Sequence, residues 1–423
     1  YSAGNFREMA VGDIDSDGRA EIAWTNSSAL KVLDGDSRTV KWQRTDLWDA
    51  TALTIANIDL TGAPELLVAY YQSSSVTALQ GGDGATLWSI NPLLVANGSG
   101  YGISVGDADG DGDNEVVWGA GTNSTSRDRL LIADWQTQTL AWLSDDVDGP
   151  IYTAIADLDL DGSQELIVAS FSTNGGYSDG VIKVYDGATH LPKWEIASGE
   201  FGRFDFYDLA VGQVDADPAL EIVVTAEWAY NTHLLTFDGI AHALEWESPS
   251  IGAYVPRALV VANLDGDALD EIVIGLDNNH VQVFNGASAV IQWEGSAWGG
   301  VVQDVAVGDL YGDGTRDLVV LTDSVLQVYD PAVVQPLVDR PVAGGLSVAV
   351  ANRDLSGAGE VLVATYASGV GAVESWEGPT FSAVQRRLVG DLQLLELAPV
   401  DLDSDGVQEF VALGYQHVQS YQI

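Results

Sequence analysis

The stretch Asp13-Ile14-Asp15-Ser16-Asp17-Gly18-Arg19-Ala20-Glu21 constrains this chain more than any other, because its pattern returns eight more times. With Asp13 as position 1, carboxylates stand at positions 1, 3, 5 and 9, and glycine at position 6. Alternate residues of a tight loop point at one centre, and glycine supplies a left-handed turn there. A hard cation such as calcium takes about six to eight oxygens in a flexible shell. The carbonyl at position 7 and the carboxylate at position 9 can close that shell. The loop is shorter than the roughly twelve-residue loop of an EF-hand, so its flanks need not be helices. Met9-Ala10-Val11 precedes it and Ile22-Ala23-Trp24 follows it, which reads as strand, loop, strand.

Four copies carry the full acidic set: Asp13/Asp15/Asp17/Glu21, Asp107/Asp109/Asp111/Glu115, Asp157/Asp159/Asp161/Glu165 and Asp401/Asp403/Asp405/Glu409. Their position 7 carbonyls belong to Arg19, Asp113, Ser163 and Val407. A fifth copy, Asn263/Asp265/Asp267/Glu271, swaps one carboxylate for an amide oxygen and has Ala268 in place of glycine. Asn57/Asp59/Thr61/Glu65 and Asn352/Asp354/Ser356/Glu360 keep two charges each. Asp309/Tyr311/Asp313/Asp317 has a tyrosine at position 3, and Gln213/Asp215/Asp217/Glu221 has Pro218 where glycine belongs. One such loop alone reads as a polar turn, since aspartate and glycine are turn residues. Four complete copies at one point of a repeat make several structural calcium ions the expected cofactor.

The loops span 13–21, 57–65, 107–115, 157–165, 213–221, 263–271, 309–317, 352–360 and 401–409, at steps of 43 to 56 residues. Such periods with short strands predict propeller blades. The expected fold is all-β: a single β-propeller domain over 1–423, built of four-stranded antiparallel blades. Nine repeats are counted; nine blades are favoured over eight or seven with an extra unit. The ninth unit reaches Ile423 before an outer strand, and only Tyr1 to Asn5 are at hand to complete it. The first strand of nearly every unit ends in a small residue (Gly12, Ala56, Gly106, Ala156), as crowding near an axis requires. The second strand is continuously apolar, as in Leu166-Ile167-Val168, so both its faces are covered. The third ends in a pair such as Asp34-Gly35 or Asp186-Gly187, which suggests a tight hairpin turn. Eight residues after the first turn residue stands a tryptophan: Trp42, Trp88, Trp142, Trp194, Trp246 and Trp293. These are expected to pack between neighbouring blades.

These loops resemble FG-GAP or VCBS repeats, the units of integrin α-subunit propellers and of many secreted bacterial proteins, and the resemblance covers essentially the whole chain. It implies a calcium-stapled propeller, extracellular or at the cell surface, used for adhesion or recognition of protein or carbohydrate. It departs in number, since integrin propellers have seven blades. Some related calcium propellers are polysaccharide lyases, so an enzyme is a minority expectation. A structural unit of a surface assembly or filament, with self-association, is another.

Net charge is −45 over 423 residues. The nine loops hold 29 of the 62 acidic residues, so full calcium loading still leaves about −27. Nucleic acid and anionic membrane are therefore not expected partners. No apolar run is long enough to insert in a membrane, and cysteine is absent. The five histidines fall in different units without metal-ligand spacing, and two G-x-S-x-G matches, 102–106 and 176–180, sit in a strand and a loop. No catalytic residue is expected. A ligand is expected on the rim opposite the calcium loops. One set of loops there offers Trp48, Tyr101, Tyr152, Tyr207, Tyr254 and Trp298, and a second offers Tyr71, Tyr177, Trp228, Tyr230, Asn278 and Asn279.

Overall fold

The computed structural model describes residues 6–421 except 27–28, 48–49, 71–72, 93–95, 97–98, 122–127, 148–150, 171–180, 198–204, 229–230, 252–255, 277–279, 289, 296–299, 331–334, 353–357, 378–380, 391–393, 403–406 and 415–416. Among the described residues there are 35 strands and no helix. They form eight four-stranded antiparallel sheets and one three-stranded sheet, with sequence neighbours paired in each. In blade 1 the strands are Phe6–Gly12, Glu21–Asn26, Ala29–Leu33 and Val40–Arg44.

The first strands of successive sheets contact one another around the ring, so they line its axis. The ninth sheet consists of Leu394–Val400, Glu409–Gly414 and His417–Tyr421. Its second strand meets the first strand of blade 1, and Leu402 and Val411 share an apolar cluster with Ala20, Ile22 and Trp24. The ring thus closes as a β-propeller of eight four-stranded blades, with the three-stranded sheet between blade 8 and blade 1. Tyr1 to Asn5 lie outside the described residues.

Crowding at the axis explains the small residues. A Cβ on Gly12 would stand 3.4 Å from the Ile55 side chain of the next blade, and one on Gly308 only 2.5 Å from Val350. Glycine ends the first strand in blades 1, 3, 5 and 7, and alanine in the even-numbered blades. The second strands Glu165–Ser170, Glu271–Leu276 and Asp317–Thr322 are buried at every residue. A strand sandwiched between two neighbouring sheets has no solvent face, and its sequence shows no alternation.

The tryptophans join blades as expected. Trp142 meets Tyr185 edge-on with centroids 5.0 Å apart, and Trp293 stacks on Tyr329 at 4.3 Å. The indole N–H groups of Trp42 and Trp246 donate to the carbonyls of Gly81 and Gly286 in the following blade, both at 2.7 Å. The turn after the third strand differs from the tight hairpin turn expected. It is wider: Asp34 N–H donates to Thr39 O and Arg38 N–H to Asp34 O. Its left-handed residue comes late, at Arg38, Gly84, Gln138, His190 and His242. The turn glycine is needed for closeness, since a Cβ on Gly81 or Gly187 would overlap the carbonyl of Ile14 or Ala108 in the preceding blade's loop.

Candidate metal centres

Each acidic loop joins the first strand of a sheet to the second, and one carboxylate anchors it. The position 9 side chain opens the second strand, where neighbouring sheets exclude water. One of its oxygens accepts the backbone N–H of position 2: Ile14 to Glu21 (3.1 Å), Ile58 to Glu65 (2.9 Å), Ala108 to Glu115 (2.8 Å) and Leu158 to Glu165 (2.8 Å). Val214 to Glu221, Leu264 to Glu271, Leu310 to Asp317 and Leu402 to Glu409 repeat the bond. The other oxygen faces the loop. On Glu221, Glu271 and Asp317 that oxygen is buried without a hydrogen-bond partner, and such an orphan is costly unless a cation or donor meets it.

Position 1 shapes the loop. Asp157 accepts Asp161 N–H at 3.0 Å and Gly162 N–H at 3.0 Å, and Asp309 accepts from Gly312, Asp313 and Gly314. Position 6 is left-handed as expected, at Gly18, Gly62, Gly112, Gly162 and Gly314. Position 4 is left-handed too, at Ser16, Leu60, Gly110, Leu160, Gly266 and Gly312. That second requirement is hidden in the sequence, because serine and leucine stand where glycine would be free of strain.

Positions 3 and 5 form a ladder along the loop. The Oδ1 of position 3 accepts the N–H of position 5: Asp59 from Thr61 (2.8 Å), Asp109 from Asp111 (3.1 Å), Asp215 from Asp217 (2.8 Å) and Asp265 from Asp267 (3.1 Å). The Oδ1 of position 5 then accepts the N–H of position 7: Asp17 from Arg19 (3.0 Å), Asp111 from Asp113 (2.9 Å), Asp161 from Ser163 (2.8 Å) and Asp267 from Leu269 (2.7 Å). Each of these carboxylates thereby holds a backbone N–H with one oxygen and keeps lone pairs on both oxygens for an ion. The hydroxyl of Thr61 also donates to Asp59 Oδ1 at 2.8 Å.

Carboxylate oxygens gather within 4.8 Å of one another in the groups Asp13/Asp15/Asp17, Asp107/Asp109/Glu115 and Asp157/Asp159/Glu165. In the last two groups positions 1, 3 and 9 make the cluster, rather than the full set that includes Asp111 and Asp161. All donors are hard oxygens, the chemistry calcium selects. Asp15 Oδ1 and Asp107 Oδ1 are also buried without partners, so the residues fit such an ion. Without one, burial pushes the carboxyls of Glu21, Glu115, Glu221 and Asp317 up to about 7 and that of Glu271 to about 6.

The complete loops are not equal. In blades 1 and 4 a lysine from the outer strand enters: Lys41 pairs with Asp15 and Glu21, and Lys193 Nζ lies 2.9 Å from Asp159 and 2.7 Å from Glu165. The loop at 107–115 has Ala141 at that outer-strand place. The weaker loops close on themselves. Gln213 Nε2 donates to the carbonyls of Asp215 and Asp217 at 2.9 and 2.7 Å, and Asn263 Nδ2 to that of Asp267. Asn263 Oδ1 accepts Gly266 N–H at 2.8 Å. The amide of Asn263 is thus spent inside its loop, and Asp265 and Asp267 hold backbone N–H groups beside it. Tyr311 packs edge-on against Phe381 of the next blade, while the Asp313 carboxylate accepts both the N–H and the hydroxyl of Thr315.

In the eighth blade Glu360 is buried, opening its second strand opposite Ala351. Its expected companions Asp354 and Ser356 lie outside the described residues, as do Asp403 and Asp405 of the ninth loop. Glu360 thus stands at position 9 of its loop, and the set expected around it lies partly outside the described residues. Asn57 and Asn352 each keep a buried amide oxygen without a partner.

Neighbouring loops are also tied to one another, which sequence reading missed. Asn114 Nδ2 donates to Asn57 O, Leu220 N–H to Leu158 O, Asp270 N–H to Gln213 O and Gly359 N–H to Asp309 O. Asn352 N–H donates to Gln408 Oε1 at 2.8 Å. Position 8 of one loop thus grips position 1 or 2 of the loop before it.

Of the residues expected on the opposite rim, Trp48, Tyr254, Trp298, Tyr71, Tyr177, Tyr230, Asn278 and Asn279 lie outside the described residues, as do the side chains of Tyr101, Tyr207 and Trp228. Tyr152 is half-buried and packs against an interior cluster. His190 and His242 stack on Trp142 and Trp194, while His233 and His280 meet Glu247 and Glu294. Ser104, in the first G-x-S-x-G match, faces the Thr153 hydroxyl at 3.3 Å from within a strand.

A ring of antiparallel blades, each with its acidic loop between the first two strands, defines a repeat-loop β-propeller. Residues 57–118 match the FG-GAP-like repeat family, and the chain as a whole is a β-propeller. No curated protein matches the chain significantly. Among solved structures it is similar to the computationally designed Ika8 protein (TM-score 0.57, 14% identity, 89% of this chain and 97% of that one). It is similar to Sqt1 of Saccharomyces cerevisiae (TM-score 0.55, 10% identity, 100% of both chains). BamB from Moraxella catarrhalis aligns with TM-score 0.50 and 14% identity over 86% of this chain and 96% of that one. These likenesses concern the fold alone. Among the described residues no helix is long and apolar enough to cross a membrane.

Proposed function

We propose that this protein is a calcium-stabilised extracellular propeller that serves as a recognition or adhesion module for protein or carbohydrate, without catalysis. What supports the reading is the recurrence of the acidic loops: one per sheet, with the position 9 carboxylate of eight of them accepting a backbone N–H of its own loop. A catalytic carboxylate pair breaks such symmetry, whereas structural ions repeat with the fold. Calcium in these loops would fix the first hairpin of each blade and, through the bonds between loops, the spacing of neighbours. The surface left over is strongly acidic and suits extracellular water rich in calcium. FG-GAP repeats are typical of such settings. The test is a panel of polysaccharides and matrix proteins presented to the purified chain with calcium, with turnover measured alongside. Saturable binding without product supports the reading, and hydrolysis or elimination of any polysaccharide contradicts it.

A further inference from the structure

The outer strand of every four-stranded blade carries a bulge at the same place, just before its tryptophan or the residue equivalent to it. In blade 1 Val32 pairs with Trp42 and Leu33 with Val40, leaving Lys41 between them. In blade 4 the extra residue is Lys193, and in blade 5 it is Glu245. A bulge re-aims its extra side chain. In blades 1 and 4 that side chain is the lysine whose ammonium meets positions 3 and 9 of the acidic loop. Blade 5 puts a carboxylate in the same place, opposite carboxylates at the same two positions.

Oxygens of Asp215, Glu221 and Glu245 lie within 4.8 Å of one another. Glu221 is 0% exposed. Its Oε2 accepts Val214 N–H at 2.6 Å, while Oε1 points into the cluster without a hydrogen-bond partner. Glu245 Oε2 is buried without a partner as well. Gln213 spends its amide on the loop carbonyls, and Pro218 removes the glycine turn. The usual loop shell therefore cannot form here, yet more negative charge converges than at a lysine-filled loop. Three carboxylates with orphaned, buried oxygens among them call for a hard cation.

We propose that Asp215, Glu221 and Glu245 form a divalent-cation site of the calcium class, to which the outer strand contributes a ligand. The bulge residue then decides what meets the acidic loop: an ammonium in blades 1 and 4, an added ligand in blade 5. This rests on the calcium reading of the loops in taking positions 3 and 9 as cation-facing.

The test is equilibrium dialysis of the metal-free full chain against calcium, with bound ions counted by mass spectrometry under native conditions. Tryptophan-sensitised terbium emission gives an independent titration. Glu245→Lys is expected to bind one ion fewer than the wild type and to melt higher in chelator, as its ammonium replaces the ion. Glu245→Gln, nearly isosteric, is expected to lose the same ion. If both variants bind as many ions as the wild type with the same affinities, the blade 5 site is refuted while the loops stand. If the wild type binds none, both readings fall.

Discussion

Replacing Lys193 by methionine separates an internal cation from an external one. The ammonium lies 2.7 Å from Glu165 and 2.9 Å from Asp159. Its side chain is 21% exposed, and that of Glu165 only 1%. Methionine keeps the apolar stem and removes the charge, leaving a buried carboxylate oxygen without its donor. Removing one partner of a buried pair costs about 3–5 kcal/mol; with the lysine reaching solvent, roughly 2–3 kcal/mol is expected. An unfolding entropy of about 2.1 cal/mol/K per residue gives the 423-residue chain about 0.9 kcal/mol/K. The expected loss in chelator is therefore about 2–3 °C. Calcium should reverse it, because the freed loop then offers Asp157, Asp159 and Glu165 to one ion. Binding at about 100 times the dissociation constant adds about 2.7 kcal/mol, which offsets the deficit. Differential scanning calorimetry in chelator and in calcium reads both effects. Equal losses in both conditions, or no loss in chelator, would refute the idea that lysine stands in for a cation.

Other outcomes follow from the same geometry. In chelator the protein should melt higher at pH 5 than at pH 7.5. Glu115, for example, has its folded value raised from 4.5 to about 7, so the folded state holds its proton more tightly and stability falls as pH rises across that window; calcium should cancel or invert the trend, and a chelated melt that rises with pH would contradict the assignment. Gly81→Ala and Gly187→Ala should destabilise severely in circular-dichroism melts, because the added methyl overlaps the carbonyls of Ile14 and Ala108; Gly106→Ala, where a Cβ would make an ordinary 3.8 Å contact with Ile155, should be much milder. Asp109→Ala should remove one bound ion, whereas Tyr311→Phe should leave the ion count unchanged, since Tyr311 packs on Phe381.

Much of this molecule is legible in its sequence because the information is local and repeated. The loop pattern recurs with each sheet, so strand order, ring and inter-blade tryptophans all follow from period and polarity. Two kinds of feature escape. One is backbone conformation that side chains do not announce, such as the left-handed Leu60 and Leu160 at position 4. The other is how oxygens and charges are shared once the chain is folded. The spacing marks Asp59, Thr61, Asp111 and Asp265 as ligands, but not that each also bonds within its own loop. Lys193 comes 34 residues after Asp159, and nothing marks Lys41 or Glu245 as loop-facing until the bulge places them. The turn glycines are plain in the sequence, yet their reason is not: proximity to the preceding loop governs them, rather than turn type.

The most direct test of the central claim is the melting temperature of the wild-type chain as free calcium is raised from chelator to saturation. The account predicts a marked rise that follows the logarithm of calcium concentration once the sites fill, together with several ions bound per chain. An identical melt in chelator and in calcium would contradict it.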